Sequence, residues 1–162
     1  MTREMRVAGV TVDPVTKSPI VVLRDPENRC ALPIWIGIME ANAIAMALEG
    51  ADSPRPMTHD LLKSVLEGTG AKLTDVEITD IRENTYYAAL HLERDGGRIT
   101  VDSRPSDAIA LALRCEAPIR VAESVLAKAV VIETADTEDG EKDKWSELLD
   151  KMDPEQFSKY KM

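Results

Sequence analysis

A run of charged and hydroxyl side chains at residues 102–107 is the part of the sequence best equipped for chemistry. An alternating strand pattern precedes it, and an almost wholly apolar helical pattern follows it. Pro105 suits the first position of a helix, because its missing N–H would be unpaired there, so Arg104 is the predicted N-cap residue. Ser106 and Asp107 then fall in the first helical turn, where free N–H groups and the helix dipole favour an anion.

Arg104 is the residue in this run that capping does not require. A guanidinium at a helix N-terminus lies on the unfavourable side of the dipole, but it is well shaped to bind a phosphate or carboxylate with two hydrogen bonds. Two interpretations stay open at this stage. Arg104 binds the anion of a ligand, or it forms an internal salt bridge with Asp102 or Asp107.

A second group of polar residues begins another predicted helix. Arg55 precedes Thr58, the predicted N-cap residue, and His59 and Asp60 follow in the first turn. His59 beside Asp60 could exchange protons with a ligand, or it could occupy the turn only because Thr58 caps the helix. Glu40, at the start of an apolar helix, either complements the dipole or faces a cleft or partner.

The predicted elements make one α+β domain over residues 1–133. Strand patterns cover residues 6–12, 20–23 and 30–37, a strand meander covers 72–102, and helical patterns cover 38–48, 58–68 and 105–115. In the second helix the stripe of Leu61, Leu62, Val65 and Leu66 is typical of a core-facing surface. We therefore expect a compact domain whose mixed or largely antiparallel sheet packs against buried apolar helices.

The C-terminal part of the sequence has a different composition. Residues 134–144 are polar and mostly acidic, which predicts a solvated linker. Residues 145–162 are predicted to form an amphipathic, helical tail, because Trp145, Leu148, Leu149 and Met152 recur at helical spacing. We expect this tail to pack on the domain or on a second subunit.

Composition narrows the possible partners. The net charge of −9 excludes nucleic-acid binding by bulk charge, so any such contact must be local. No apolar run reaches the roughly 18 residues of a membrane helix and no signal-peptide pattern begins the chain, which predicts a cytoplasmic protein without a membrane partner. Cys30 and Cys115 lack metal-binding spacing, and zinc is not expected.

Four blocks of sequence together resemble the bifunctional nuclease family. They are residues 32–41, residues 55–60, the glycine-ended helix that reaches Gly70, and residues 102–110. The resemblance spans roughly residues 5 to 130 and does not include the tail. It implies a compact α+β domain that cleaves RNA and DNA and forms homo-oligomers, for which we expect a dimer.

The chemistry of phosphodiester cleavage assigns roles to the polar residues. It needs an activated nucleophile, a group that stabilises added negative charge, and a proton donor for the leaving oxygen. The predicted catalytic residues are His59, Asp60, Arg104 and Asp107. The predicted substrate-binding residues are Arg55, Thr58, Ser103 and Ser106. Asp102, Asp107 and Glu40 are the predicted ligands of a Mg²⁺ or Mn²⁺ ion that would activate water.

A binding module is the alternative to a nuclease. The same arginine, serine and threonine side chains at helix starts suit a phosphorylated metabolite, or a protein partner, as well as a polymer. The acidic surface favours this alternative. A purely structural role for all of these motifs is the third interpretation, and the charged residues grouped beside apolar helices count against it.

Overall fold

The computed structural model describes residues 1–133, which form a mixed eight-stranded sheet and four helices. The strands are β1 (Thr2–Val12), β2 (Pro19–Arg24), β3 (Cys30–Trp35), β4 (Lys72–Arg82), β5 (Thr85–Arg94), β6 (Gly97–Ser103), β7 (Ile119–Ala122) and β8 (Ile132–Glu133). The helices are α1 (Ile38–Glu49), α2 (Thr58–Gly68), α3 (Pro105–Cys115) and α4 (Glu123–Lys128). The predicted linker at 134–144 and the predicted tail at 145–162 lie outside the described residues.

The strand order is β6-β5-β4-β7-β1-β2-β3-β8. β4 and β7 pair in parallel, and all the other neighbours pair antiparallel. The β4–β5 turn has positive φ at Glu83 and Asn84, and the β5–β6 turn has positive φ at Asp95 and Gly96. Positive φ at both central residues is the geometry that favours tight two-residue hairpins. The predicted α+β class and the mixed sheet are therefore confirmed.

α3 is the central helix of the layer that covers the sheet. It packs against α1 and α2 and also against β4 and β5. Seven of its residues are buried, as its continuous apolar pattern predicts. Because its first turn is held between the sheet and two helices, the polar residues there have fixed positions.

The exposed surfaces of α1 and α2 correct the expectation of buried apolar helices. In α1 only Ala41 and Ile44 are buried, and Met39 is 75% exposed. In α2 only His59 is buried, whereas Leu61 is 56% exposed and Leu62 and Val65 are also exposed. The predicted core-facing stripe is wrong except at Leu66, which packs at the edge of the core. None of the described helices has both the length and the hydropathy needed to cross a membrane.

Candidate functional site

The first turns of α1, α2 and α3 meet around a cavity of about 220 Å³. Its apolar wall contains the side chains of Met39, Ala43, Met46 and Met57. Its polar wall contains Glu40, Asn42, Thr58, His59, Arg104 and Asp107. The two polar segments that the sequence analysis singled out, at residues 55–60 and 102–107, therefore contribute to one site.

A chain of polar contacts runs along the polar wall. His59 Nε2 lies 3.0 Å from Asp107 Oδ1, and Arg104 Nε donates to Asp107 Oδ2 at 2.8 Å. Arg104 Nη1 donates to Glu40 Oε1 at 3.0 Å. The Arg104 side chain is 53% exposed, and its Nη2 has no hydrogen-bond partner among residues 1–133. Arg104 is thus an internal salt-bridge partner whose half-exposed side chain keeps one donor nitrogen unpaired.

The environment of Asp107 determines which ring nitrogen of His59 carries the proton. Burial raises the pKa of Asp107, but the hydrogen bonds from Arg104 and His59 outweigh burial and hold the pKa below its ordinary value. An ionised carboxylate can only accept hydrogen bonds, so His59 must donate through Nε2. In the neutral imidazole, Nδ1 is then the nitrogen that can accept a proton.

Each of the three helices carries an acidic residue at its third position. These residues are Glu40 in α1, Asp60 in α2 and Asp107 in α3. Acidic side chains in the first turn offset the positive end of a helix dipole, and here three such ends surround one cavity. The repeated spacing is visible in the sequence once the helix starts are placed, but it does not show that the three helix starts meet.

Asp60 and Arg114 hold the three helices together beside the cavity. The Asp60 carboxylate accepts a hydrogen bond from the Met57 N–H at 2.9 Å and another from Arg114 Nε at 2.8 Å. These two bonds lower the pKa of Asp60. Arg114 also donates to the carbonyls of Ala110 in α3 and Ala43 in α1. Its side chain is only 10% exposed, so its main role is structural, and the sequence analysis did not identify that role.

Gly37 positions Glu40. It is the N-cap residue of α1, with φ −78° and ψ 164°, a conformation open to any residue. A Cβ atom added at this position would overlap Oε2 of Glu40. The missing side chain therefore leaves the space in which the Glu40 carboxylate turns toward Arg104.

Several predicted site residues lie elsewhere. Arg55 is exposed in the loop between α1 and α2, and it is not part of the cavity wall. Ser103 Oγ donates to the Arg104 carbonyl at 2.9 Å. Ser106 is only 1% exposed, and its hydroxyl has no partner among the described residues. The three residues therefore do not join the polar wall that His59, Arg104 and Asp107 form.

The start of α2 differs from its prediction in one position. The N-cap residue is Met57, and Thr58 is the first residue of the helix. The reason is that the Asp60 carboxylate reaches back to the Met57 N–H and satisfies it. Thr58 is exposed and lines the cavity, so its hydroxyl is available there instead of serving as a cap.

The predicted metal ligands do not form a common site. Asp102 is exposed on β6, where it pairs with Ala89, while Glu40 and Asp107 both contact Arg104. Within residues 1–133 no three His, Cys, Asp or Glu side chains are arranged to hold a metal ion. As placed, the three carboxylates do not fit Mg²⁺ or Mn²⁺, because a guanidinium lies between two of them and the third is apart.

A second histidine–aspartate pair lies outside the cavity. His91 Nδ1 is 2.6 Å from Asp75 Oδ2, and both side chains are 13% exposed. Burial raises the pKa of Asp75, but its contacts with His91 dominate and lower it. His91 is therefore largely shielded from solvent, as are its neighbours Leu90 and Leu92 on β5. This pair resembles the His59–Asp107 pair chemically but does not line the cavity.

The fold and the site define a class of protein, an α+β domain in which three helix starts bring a histidine, an aspartate and an arginine to one small cavity. The chain belongs to the bifunctional nuclease family, whose domain model matches residues 21–134. The matched segment contains every residue of the cavity wall. The resemblance stated from the sequence blocks is therefore confirmed.

Individual relatives show how far the similarity extends. An uncharacterized protein of Mycobacterium tuberculosis is 40% identical over 95% of this chain and 97% of its own length. Bifunctional nuclease 1 of Oryza sativa subsp. indica is 32% identical over 63% of this chain, which covers 32% of the rice protein. Bifunctional nuclease 2 of Arabidopsis thaliana is 30% identical over 64% of this chain and 32% of its own length. The similarity to proteins named as nucleases thus concerns the shared domain.

Proposed function

We propose that the protein hydrolyses phosphodiester bonds of RNA and DNA with low sequence specificity, at the cavity formed by α1, α2 and α3. The observation that carries this proposal is the contact chain from His59 through Asp107 to Arg104 in one cavity wall, because an imidazole there can accept a proton and a guanidinium there can bind an anion. The family to which the chain belongs, and the names of its plant relatives, support the same activity.

The residues of the polar wall have different roles in hydrolysis. Arg104 binds a phosphate oxygen through Nη2 and stabilises the charge that develops on phosphorus-bound oxygens. His59 accepts a proton from the attacking water at Nδ1, while Asp107 holds the ring through Nε2 and stabilises the imidazolium that forms. The leaving oxygen lies on the opposite side of phosphorus and takes its proton from solvent, and His59 returns its own proton to water. Thr58 and Asn42 supply polar contacts at the edge of the cavity.

Low sequence specificity follows from the apolar wall of the cavity. Met39, Met46 and Met57 are flexible and polarizable, so they can pack against bases of different shape. The cavity is small, and the net charge of −9 opposes extended contact with a polyanion. We therefore expect the enzyme to bind a short, unpaired stretch of nucleic acid through local contacts.

The test is hydrolysis of single-stranded RNA and DNA by the purified protein, measured with and without Mg²⁺ or Mn²⁺. We expect His59→Ala to lower the rate by about 10²-fold or more, the range that a positioned general base contributes. Arg104→Ala should lower it by a similar factor through lost charge stabilisation. Both variants should retain the wild-type circular dichroism spectrum.

His91→Ala is the matched control, because it removes the other histidine–aspartate pair without changing the cavity. Its activity should equal that of the wild-type protein. If hydrolysis survives both His59→Ala and Arg104→Ala, the proposed site is wrong.

The second candidate function is a non-catalytic homo-oligomeric module that binds a phosphorylated metabolite or a protein partner. The acidic net charge and the small cavity favour it, because both suit a single small anion better than a polymer. It predicts that inorganic phosphate binds to the wild-type protein but not to Arg104→Ala. It also predicts that nuclease activity disappears as purification proceeds.

A further inference from the structure

We infer that Glu40 is an internal competitor for the anion site at Arg104, so that a phosphate can bind both Nη1 and Nη2 of the guanidinium only when it displaces the Glu40 carboxylate. The carboxylate lies 3.0 Å from Arg104 Nη1, at the guanidinium that the proposed function uses. The inference rests on that function only in placing the anion site at Arg104. Its consequence is that Glu40 lowers the affinity of the cavity for anions and favours ligands able to replace a carboxylate.

The two carboxylates that contact Arg104 are held unequally. Asp107 is fixed on both oxygens, by Arg104 Nε and by His59 Nε2. Glu40 has one hydrogen bond, on Oε1, to the described residues. Its side chain is 21% exposed and belongs to a half-exposed ion pair, a type that contributes little stability because water screens it. Glu40 is therefore the partner that an incoming anion can replace.

The surroundings of the Glu40 carboxylate favour negative charge. The first turns of three helices surround the cavity, and each carries the positive end of a helix dipole. Such a region favours a negative charge whether it comes from a side chain or from a ligand. In the structure the Glu40 carboxylate supplies that charge next to the exposed guanidinium.

Gly37 leaves room for the Glu40 carboxylate beside Arg104. A substitution at Gly37 therefore tests the inference without a change in net charge. An alanine Cβ would overlap Oε2 of Glu40, which is the far end of a flexible side chain, and the φ of −78° suits alanine without strain. Gly37→Ala should therefore move the Glu40 carboxylate away from Arg104 while the net charge stays the same. Glu40→Gln, in contrast, keeps the shape and removes the charge.

The experiment measures binding of inorganic phosphate by isothermal titration calorimetry. We expect both Gly37→Ala and Glu40→Gln to bind phosphate about two- to fivefold more tightly than the wild-type protein, the factor that one solvent-screened ion pair contributes. Adding Arg104→Ala to Glu40→Gln should remove the gain. Because binding is read without hydrolysis, this outcome does not depend on whether the protein cleaves a phosphodiester.

Glu49→Gln is the matched control for the charge change. Glu49 lies on the same helix, nine residues from Glu40, and so about 14 Å away along the axis, beyond the Debye length of roughly 10 Å at 0.1 M salt. Its phosphate affinity should stay at the wild-type value. Unchanged or weaker phosphate binding in both Gly37→Ala and Glu40→Gln overturns the inference, and so does an equal gain in Glu49→Gln.

Discussion

Asp107 connects the charged groups of the cavity. One of its oxygens contacts the Nε2 of His59, and the other accepts a hydrogen bond from Arg104. From the sequence, Arg104 could bind either a ligand or an internal carboxylate. The structure shows the internal pair with Asp107, a second pair with Glu40 that the sequence could not indicate, and a half-exposed guanidinium with one donor nitrogen unpaired. Residues 40, 59 and 104 are too far apart in sequence for local patterns to bring them together.

The lowered pKa of Asp107 predicts how stability depends on pH. A carboxyl group whose pKa is lower in the folded protein stabilises the fold above its unfolded pKa of about 3.9, and this contribution is lost as pH falls through the folded value. Asp107→Asn should therefore reduce the free energy of unfolding near pH 7 by about 1 kcal/mol, since charged hydrogen bonds are exchanged for neutral ones in a partly exposed site.

Urea unfolding of both proteins at neutral pH and at about pH 3 measures this effect. The difference between wild type and Asp107→Asn should shrink on acidification below about pH 3.9, because the carboxyl then binds a proton more readily in the unfolded wild-type protein than in the folded one. Asp102→Asn, an exposed strand residue, is the control and should change little at either pH. A difference that is constant over this range would show that Asp107 does not stabilise the fold through its charge.

The spans of α2 and α3 were both predictable from the sequence, but only for α3 was the burial predicted correctly. The α3 pattern has no polar face, and Pro105 marks its first residue, so burial and the helix start both followed from local sequence. The stripe of α2 has the spacing of a core-facing surface, yet Leu61 and Val65 are exposed. Periodicity reveals which side chains share a face, but it cannot reveal whether this chain or another molecule covers that face.

Arg114 connects the helices, and its loss should destabilise the fold. Its guanidinium donates to Asp60 in α2, to the Ala43 carbonyl in α1 and to the Ala110 carbonyl in α3. Arg114→Met should lower the free energy of unfolding by roughly 2–4 kcal/mol, because it leaves partly buried acceptors without donors. Arg114→Lys should recover only part of this loss, because one ammonium group cannot reproduce the planar fork.

Denaturant unfolding followed by circular dichroism measures both variants. Arg98→Met, on the exposed edge strand β6, is the control and should stay within roughly 0.5 kcal/mol of wild type. If Arg114→Met is as stable as Arg98→Met, the three hydrogen bonds do not hold the helix layer together.

For the molecule as a whole, local signals predicted the hairpins but not the complete sheet. The β1–β2, β4–β5 and β5–β6 hairpins follow from alternation and turn residues such as Asn84 and Gly96. The parallel pairing of β4 with β7 joins the two halves of the sheet, and no local pattern encodes it. The two-residue strand β8 pairs only with the start of β3 and is too short to produce a periodic signal.

The exposed apolar residues of α2 predict self-association. We name Leu61, Leu62 and Val65 the helical apolar face, since the three lie at helical spacing on α2 and none of them lines the cavity. All three are at least 36% exposed in the structure of residues 1–133. Contiguous apolar surface of this kind marks interaction sites, and a two-fold axis would bury the same face of both subunits.

We expect the wild-type protein to have twice the 17.9 kDa chain mass by light scattering, and the double variant Leu61→Glu, Val65→Glu to have the mass of one chain. In a dimer, each glutamate would lie near its copy on the other subunit, so like charges would be buried in the interface. The free energy of burying these charges exceeds the free energy gained from the apolar contact. Val15→Glu is the matched control, because Val15 is 63% exposed in the β1–β2 turn, so it should remain dimeric. A wild-type protein that is monomeric at every concentration, or a dimer that tolerates both glutamates, would show that this face does not join two copies of the chain.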